Sequence, residues 1–424
     1  MLGLSAKGIR APSYALVEEC VGKREDGMNV QERLITLVDQ ESERVTGFLR
    51  DLVRIRSIWG DAARLREAAT LIHGSLRDVG IAAQLVESGT EGMPMVLGRL
   101  VGSGGGPSLL LNGHMDVYPP SNSWTKDPFG AQVQNGRLFG QGVADMKAGT
   151  AAMTMAAVLL AKSGIGLAGD LLLLAIPNHF EGGEGSRKAL REGLVVDNAV
   201  VCEPTDLQVV TGQRGILYVT ITVRGRSAHT TSDIGVNAIV RAARVVDALQ
   251  TIVPRNAARE PVGQPLILNV AMISGGLAHN LIPEACVLTV DIRYPPGQTA
   301  EDVLQDVKEA IATAVSDDFE TDVIPEDTCI RNPRNSVHIP DDHPLALATL
   351  RAHSSASGQQ GTLGFHKAWP DAPIFNEAGI PAISYGPGSM DAYWDDEFVE
   401  VSDYLTAVKT YCVLAASLLA DPRD

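Results

Sequence analysis

Cysteine, aromatic side chains, positive charge and long apolar runs are all in short supply in this chain, and each shortage excludes something. Five cysteines (Cys20, Cys202, Cys286, Cys329 and Cys412) are an odd number, widely spaced and without a Cys-x-x-Cys pair. A disulfide-stapled secreted scaffold is therefore disfavoured, and a reducing compartment fits better. Thirty-five basic residues against 51 acidic ones leave a net charge of −16. That balance argues against nucleic acid or an anionic membrane as a bulk partner, while a local pocket for a small anion stays open. The longest strongly apolar run, Leu171 to Ile176, is far shorter than the ~20 residues a membrane-spanning helix needs. Met1 to Val17 lacks the continuous apolar core of a signal peptide, and Lys7, Arg10 and the nearby Glu18 stand where a cleavage pattern would be. A soluble, cytoplasmic protein is expected.

What is present fits an enzyme of the α/β class. A hydrophobic content of 45% with only 5% aromatics, spread over 424 residues, is enough for two domains with separate cores. The stretch Ser108-Leu-Leu-Leu-Asn-Gly-His114-Met-Asp116 reads as a buried parallel strand whose carboxyl end delivers a histidine and an aspartate two residues apart. Ligands in open α/β sheets gather at that end. Asp116 is placed to hold the imidazole of His114 while its other ring nitrogen faces a metal; the plain alternative is a surface turn. Two further segments deliver acids: Asp145 opens an Ala- and Met-rich helical stretch from Met146 to Lys162, where it would otherwise be a simple N-cap, and Glu203 follows the strand Ala199 to Cys202.

Apolar spacing predicts one long helix over residues 30–58 and another over 62–79, with strands at 81–87, 95–100 and 170–177. At Gly212 the texture changes. Alternating strands (216–223, 267–274, 285–293) bracket helical stretches at 237–252 and 299–314, which predicts an α+β insert. Residues 212–329 would thus interrupt a first domain made of 1–211 and 330–424. The latter returns with a helix at 344–357, a strand at 382–384 and a closing helix near 402–419.

The motifs Gly113-His-Met-Asp116, Asp127-Pro-Phe129, Gly140-x-Gly142 with Asp145-Met-Lys147, Glu203-Pro204, Ser227-Ala-His229, Asn280-Leu-Ile-Pro283, Asp291-Ile-Arg293 and Gly386-Pro-Gly388 resemble the metallopeptidase family of aminoacylase, carboxypeptidase G and succinyl-diaminopimelate desuccinylase. The likeness spans about residues 35 to 420. It implies a catalytic α/β domain with a mostly parallel sheet flanked by helices, interrupted by a smaller α+β dimerisation, or lid, domain, and a homodimer or an oligomer built on dimers. It also implies a site of two zinc ions bridged by an aspartate and a water. Carried over where residues match, His114, Asp145 and Glu203 resemble the ligands of one metal, Asp116 the support of His114, and His229, Asn280 and Arg293 the groups that hold the substrate's carboxylate or polarise the attacked group.

The other half of the implied site departs from the family. Where two adjacent glutamates are expected, a general base and a ligand of the second metal, the chain carries His179 and Phe180. Where a metal-binding histidine is expected near the C-terminus it carries Tyr393. Glu181, Glu184 or His366 would have to shift in register to make good the loss. The expectation is a single divalent ion per chain, manganese, zinc or cobalt, with His179 as proton carrier and Tyr393 as phenol ligand or hydrogen-bond donor. Trp369, Tyr393 and Trp394 are candidates for an aromatic wall, although most such residues are simply core. The altered positions resemble those of an aminohydrolase acting on a nitro-substituted, carboxylate-bearing aromatic amine. The alternatives are an N-acyl or N-carbamoyl amino-acid amidohydrolase, or carboxypeptidase, and a non-catalytic binding protein on the same fold.

Overall fold

Asn29 opens the first helix. Its side chain accepts the N–H of Glu32, and the Glu32 carboxylate returns a bond to the N–H of Asn29, a reciprocal cap that satisfies two otherwise orphaned donors. The helix runs Val30–Gln40, stops at Glu41, and a second helix covers Ser42–Arg54. The single helix expected over 30–58 is thus two. Between the buried Val38 and Val45 every residue is polar or charged, so no apolar stripe holds the two pieces in line.

The computed structural model describes residues 28–255, 265–314, 320–326, 329–330, 333–366, 368–389 and 395–420. The chain divides into two units: Met1–Thr211 with Ile339–His366 and Pro370–Asp424, and Gly212–His338 with Lys367–Trp369. The segment preceding Ile339 therefore groups with the insert, whereas the sequence reading returned the chain to the first domain at residue 330.

In the first unit the central strands lie in the order Pro94–Leu100, Leu171–Ile176, Leu109–His114, Asn198–Val201, Ala382–Ser384, with Ala82–Glu87 beyond one end and Val209–Gln213 beyond the other. The middle four run parallel and the flanking pairs antiparallel. The continuous Leu runs are explained by burial on both faces. Leu109 and Leu111 pack with the helices Ala148–Ser163 and Val401–Leu419 on one side, while Leu110 packs with Ala189 and Phe375 on the other. The segment Val143–Ser163 is long and apolar enough by composition to cross a membrane, but its apolar window is buried in this core.

The second unit is a four-stranded antiparallel sheet, Ile267–Gly275, Ala285–Tyr294, Gly215–Arg224, Thr321–Pro325, with Val219, Ile221, Leu288 and Val290 packed beneath the helices Ala238–Leu249 and Ala300–Ala314. The strand Thr321–Pro325 was not read from the sequence, since it is short and only partly buried.

Two glycines set how closely the backbone around Cys202 and Glu203 is clasped. A Cβ on Gly149 would meet the Cys202 carbonyl oxygen at 1.8 Å, and one on Gly386 would lie 2.6 Å from the carbonyl oxygens of both Cys202 and Glu203. Because backbone cannot step aside as a side chain can, Gly149→Ala should destabilise the protein by about 3 kcal/mol, read as a lower midpoint in thermal unfolding. Gly74→Ala, at an open helical position, should leave the midpoint unchanged or slightly higher.

Candidate metal centre

Three neighbouring parallel strands bring the site together. His114 ends the strand Leu109–His114, His179 lies three residues beyond Leu171–Ile176, and Glu203 two beyond Asn198–Val201. The Thr150 hydroxyl holds the His114 carbonyl at 2.7 Å. Asp145 arrives from a loop rather than as a helix cap: its backbone is extended (φ −119°, ψ 95°) and the helix starts only at Ala148. The loop is held by Glu397, whose buried carboxylate accepts the N–H groups of Gly142 (2.7 Å), Ala144 (2.7 Å) and Asp145 (3.1 Å).

Nε2 of His114 lies 3.1 Å from Asp145 Oδ1 and 3.9 Å from Glu203 Oε1. Its Nδ1 is 2.9 Å from the Asp116 carbonyl oxygen and 3.5 Å from the Asp116 carboxylate. The residue expected to support the imidazole is in place, but its main chain makes the closer approach. His179 joins the cluster: ligand atoms of His114, His179 and Glu203 lie within 4.8 Å of one another. Nδ1 of His179 is 2.9 Å from Asp371 Oδ1, and Asp371 Oδ2 accepts the Ser186 hydroxyl at 2.5 Å. The two imidazoles stack, centroids 4.5 Å apart and planes 10° from parallel. With Glu203 the two imidazoles form one group of candidate ligands, and Nδ1 of His179 is the nitrogen engaged by Asp371.

The electrostatics are those of crowded buried acids. Burial disfavours charge on His114, yet the hydrogen bond it gives to Asp145 and the charges of Asp116, Glu203 and Asp145 outweigh it and lift the imidazole to about 10. Burial likewise pushes Asp145 upward, but bonding to His114 and the charges of His114 and His179 bring it below the usual carboxylate range. Glu203 goes the other way, held well above that range by burial and by Asp145. Oε1 of Glu203 and Oδ1 of Asp116 are buried without a hydrogen-bond partner. Buried carboxylate oxygens are almost always satisfied, so one imidazole, two converging carboxylates and an unpaired oxygen fit a divalent cation with mixed N/O ligands. A cation entering there displaces the proton shared by the cluster.

Residues 110–417 match the model of peptidase family M20/M25/M40. The chain belongs to this family. It is 26% identical over 413 residues to the N-formyl-4-amino-5-aminomethyl-2-methylpyrimidine deformylase of Halalkalibacterium halodurans, covering 90% of this chain and 96% of that one. It is 30% identical over 343 residues to the acetylornithine deacetylase of Myxococcus xanthus, covering 79% and 85%. Among solved structures, the aminopeptidase PepT of Bacillus cereus ATCC 10987 has the same fold, with a TM-score of 0.74 at 19% identity, covering 89% of this chain and 98% of that one. The chain is a metal-dependent hydrolase of C–N bonds, as M20/M25/M40 membership implies.

At the positions that depart from the M20/M25/M40 pattern, Phe180 presents its ring to His114 and His179, both at 5.5 Å edge-on, and donates its backbone N–H to Asp116 Oδ2 at 3.3 Å. Glu181 does not take over as ligand or base: one oxygen accepts Trp59 Nε1 at 3.4 Å and the other the Thr90 hydroxyl at 2.8 Å. Glu184 is paired with Arg191. His366, at the end of the strand Leu363–His366, is not among the clustered donors. Tyr393 and Trp394 lie outside the described residues. Trp369 is a buried residue of the second unit and donates Nε1 to the Asn335 carbonyl.

The expected carboxylate clamp also lies in the second unit. His229 and Asn280 are brought together there, since the strands Ala228–His229 and Leu281–Ile282 pair and Thr230 donates its N–H to the Asn280 carbonyl. Arg293 sits on a different strand and forks onto Asp291 at 2.7 and 3.0 Å, the pairing that a plain strand arginine would make.

Sequence reasoning missed Asp371 and Glu397. Asp371 stands nearly two hundred positions from its histidine with no spacing to betray it, and Glu397 enters the sequence register only as an acid shortly after Tyr393, with no role attached. Glu397→Ala should leave three backbone donors unpaired and cost about 2–4 kcal/mol in denaturant unfolding. Because Asp145 is then unanchored, manganese affinity measured by titration should fall roughly 10- to 100-fold.

Proposed function

We propose that the chain is an aminohydrolase that replaces the amine of a carboxylate-bearing aromatic ring by hydroxyl, with 5-nitroanthranilate the substrate its altered positions favour. The observation that carries this reading is the pairing at 179 and 180: an imidazole oriented by Asp371 beside the His114–Asp145–Glu203 cluster, and a hydrocarbon ring next to it. Those three ligands would hold one divalent ion per chain. When bound, such an ion supplies Lewis acidity that lowers the pKa of a coordinated water to about 7.

The remaining steps belong to the side chains. The Asp371 carboxylate accepts Nδ1–H of His179, which fixes the tautomer and leaves Nε2 as the proton acceptor. Water adds its oxygen to the ring carbon that bears the amine, and its proton passes to Nε2. His179 then returns that proton to the nitrogen as the C–N bond breaks, so 5-nitroanthranilate and water give 5-nitrosalicylate and ammonia. A nitro-substituted ring takes up the added negative charge itself, and a second cation to hold an oxyanion is unnecessary. A clamp from His229, Asn280 and Arg293 would require Arg293 to exchange Asp291 for the substrate's carboxylate, a bidentate exchange that guanidinium geometry suits.

A second reading is an amide hydrolase of N-acyl amino acids. It is favoured by the deformylase and deacetylase names of the relatives, and it asks His179 to serve as base in place of a carboxylate. We also propose a homodimer formed through the second unit, whose edge strand Ile267–Gly275 exposes Met272 and Ile273.

Metal analysis should give about one tightly bound ion per chain; two would remove the basis for the aminohydrolase reading. Incubation with 5-nitroanthranilate should release ammonia and shift the spectrum, while release from a panel of N-acyl amino acids instead would establish the amidase. His179→Ala, folded and metal-loaded, should lose at least roughly 10²-fold in turnover, with a smaller loss in Asp371→Asn.

A further inference from the structure

Aromatic residues are few in this chain, yet three converge beside the metal centre. After the helix Ser42–Arg54 the chain runs alongside the segment that follows His114: the Ser57 hydroxyl bonds the Met115 carbonyl at 2.7 Å and the Trp59 N–H the Val117 carbonyl at 2.8 Å. That pairing sets Trp59 next to Tyr118. The Tyr118 ring stacks on Phe180 with centroids 4.0 Å apart, and Trp59 meets Tyr118 and Phe180 edge-on at 6.5 and 6.3 Å. Phe180 in turn touches both imidazoles of the centre. The row therefore starts at the reacting groups and ends in solvent, where Trp59 is 44% and Tyr118 43% exposed.

Large rings left this open at a ligand cluster forgo burial, while their orientation is fixed. The Trp59 indole donates to Glu181, which the Thr90 hydroxyl holds from the other side, and Thr90 accepts from the buried Asn178 amide at 2.9 Å. A pre-oriented aromatic row contributes little to the fold but gives a flat ligand faces and edges to pack against at small entropic cost.

The geometry points to Trp59 and Tyr118 as specificity-determining residues, forming with Phe180 a platform that selects planar, unsaturated acids over saturated ones. This rests on the reading of the centre as one that receives an aromatic amine, and it names the residues that would recognise the ring. Of the rings the sequence suggested for that wall, Trp369 lies in the second unit, and Tyr393 and Trp394 lie outside the described residues.

The test uses two ligands without a scissile bond, 3-nitrobenzoate and cyclohexanecarboxylate, titrated calorimetrically into the manganese-loaded protein. The wild type should prefer the nitrobenzoate. Trp59→Ala and Tyr118→Ala should each weaken it roughly 5- to 10-fold while changing the saturated acid less than about 2-fold, and Trp59→Phe and Tyr118→Phe should restore most of the difference. No preference in the wild type, or equal weakening of both acids in the variants, overturns the platform even if ammonia is released from 5-nitroanthranilate. Selective weakening without any ammonia release upholds the platform and overturns the aminohydrolase reading instead.

Discussion

Everything around the centre depends on one electrostatic fact: several carboxylates have been taken out of water around a single imidazole. Asp116, Asp145 and Glu203 are all within reach of His114. Such a group is costly unless positive charge is present; the carboxylates raise the His114 imidazole, and burial with Asp145 raises Glu203. The parallel strands commit their carboxyl ends to this cluster, Glu397 shapes the loop that adds Asp145, and glycines at 149 and 386 let backbone close around Glu203. A divalent ion is the economical solution to the same problem, because it satisfies the unpaired oxygens and neutralises two charges at once.

The second imidazole has a different logic. His179 is hydrogen-bonded through Nδ1 to Asp371, which is itself held by Ser186. This is an arrangement for orienting a ring and choosing its tautomer. The near-parallel stacking of His179 on His114 places the two rings side by side at the centre.

The strands and helices of both units were legible because burial writes itself into the pattern: unbroken Leu runs for the doubly covered sheet, alternation for the insert, a Gly after the long core helix. His114 and Glu203 were legible because each stands at the end of such a strand, and Asp145 because it precedes the core helix. What escaped was support that acts across the chain. Asp371 and Glu397 are single acids whose value lies in what folding places opposite them. The break at Glu41 was passed over although the polar run from Asp39 to Arg44 marks it, and the loop before Ala148 because Glu397, which holds it, lies far along the chain. The aromatic row escaped because Trp59 and Tyr118 stand in loops, whereas attention to rings near the C-terminus fell on Trp369, which is core of the other unit.

Phe180 contributes to the centre through two separable parts. Its N–H is bonded to Asp116, and Asp116 steadies His114; its side chain faces the aromatic row. A main-chain amide is common to all amino acids but one, so the steadying contact persists whatever side chain the position bears. A change of side chain at 180 would therefore alter what the aromatic row meets on one flank without removing the main-chain contact that steadies the other.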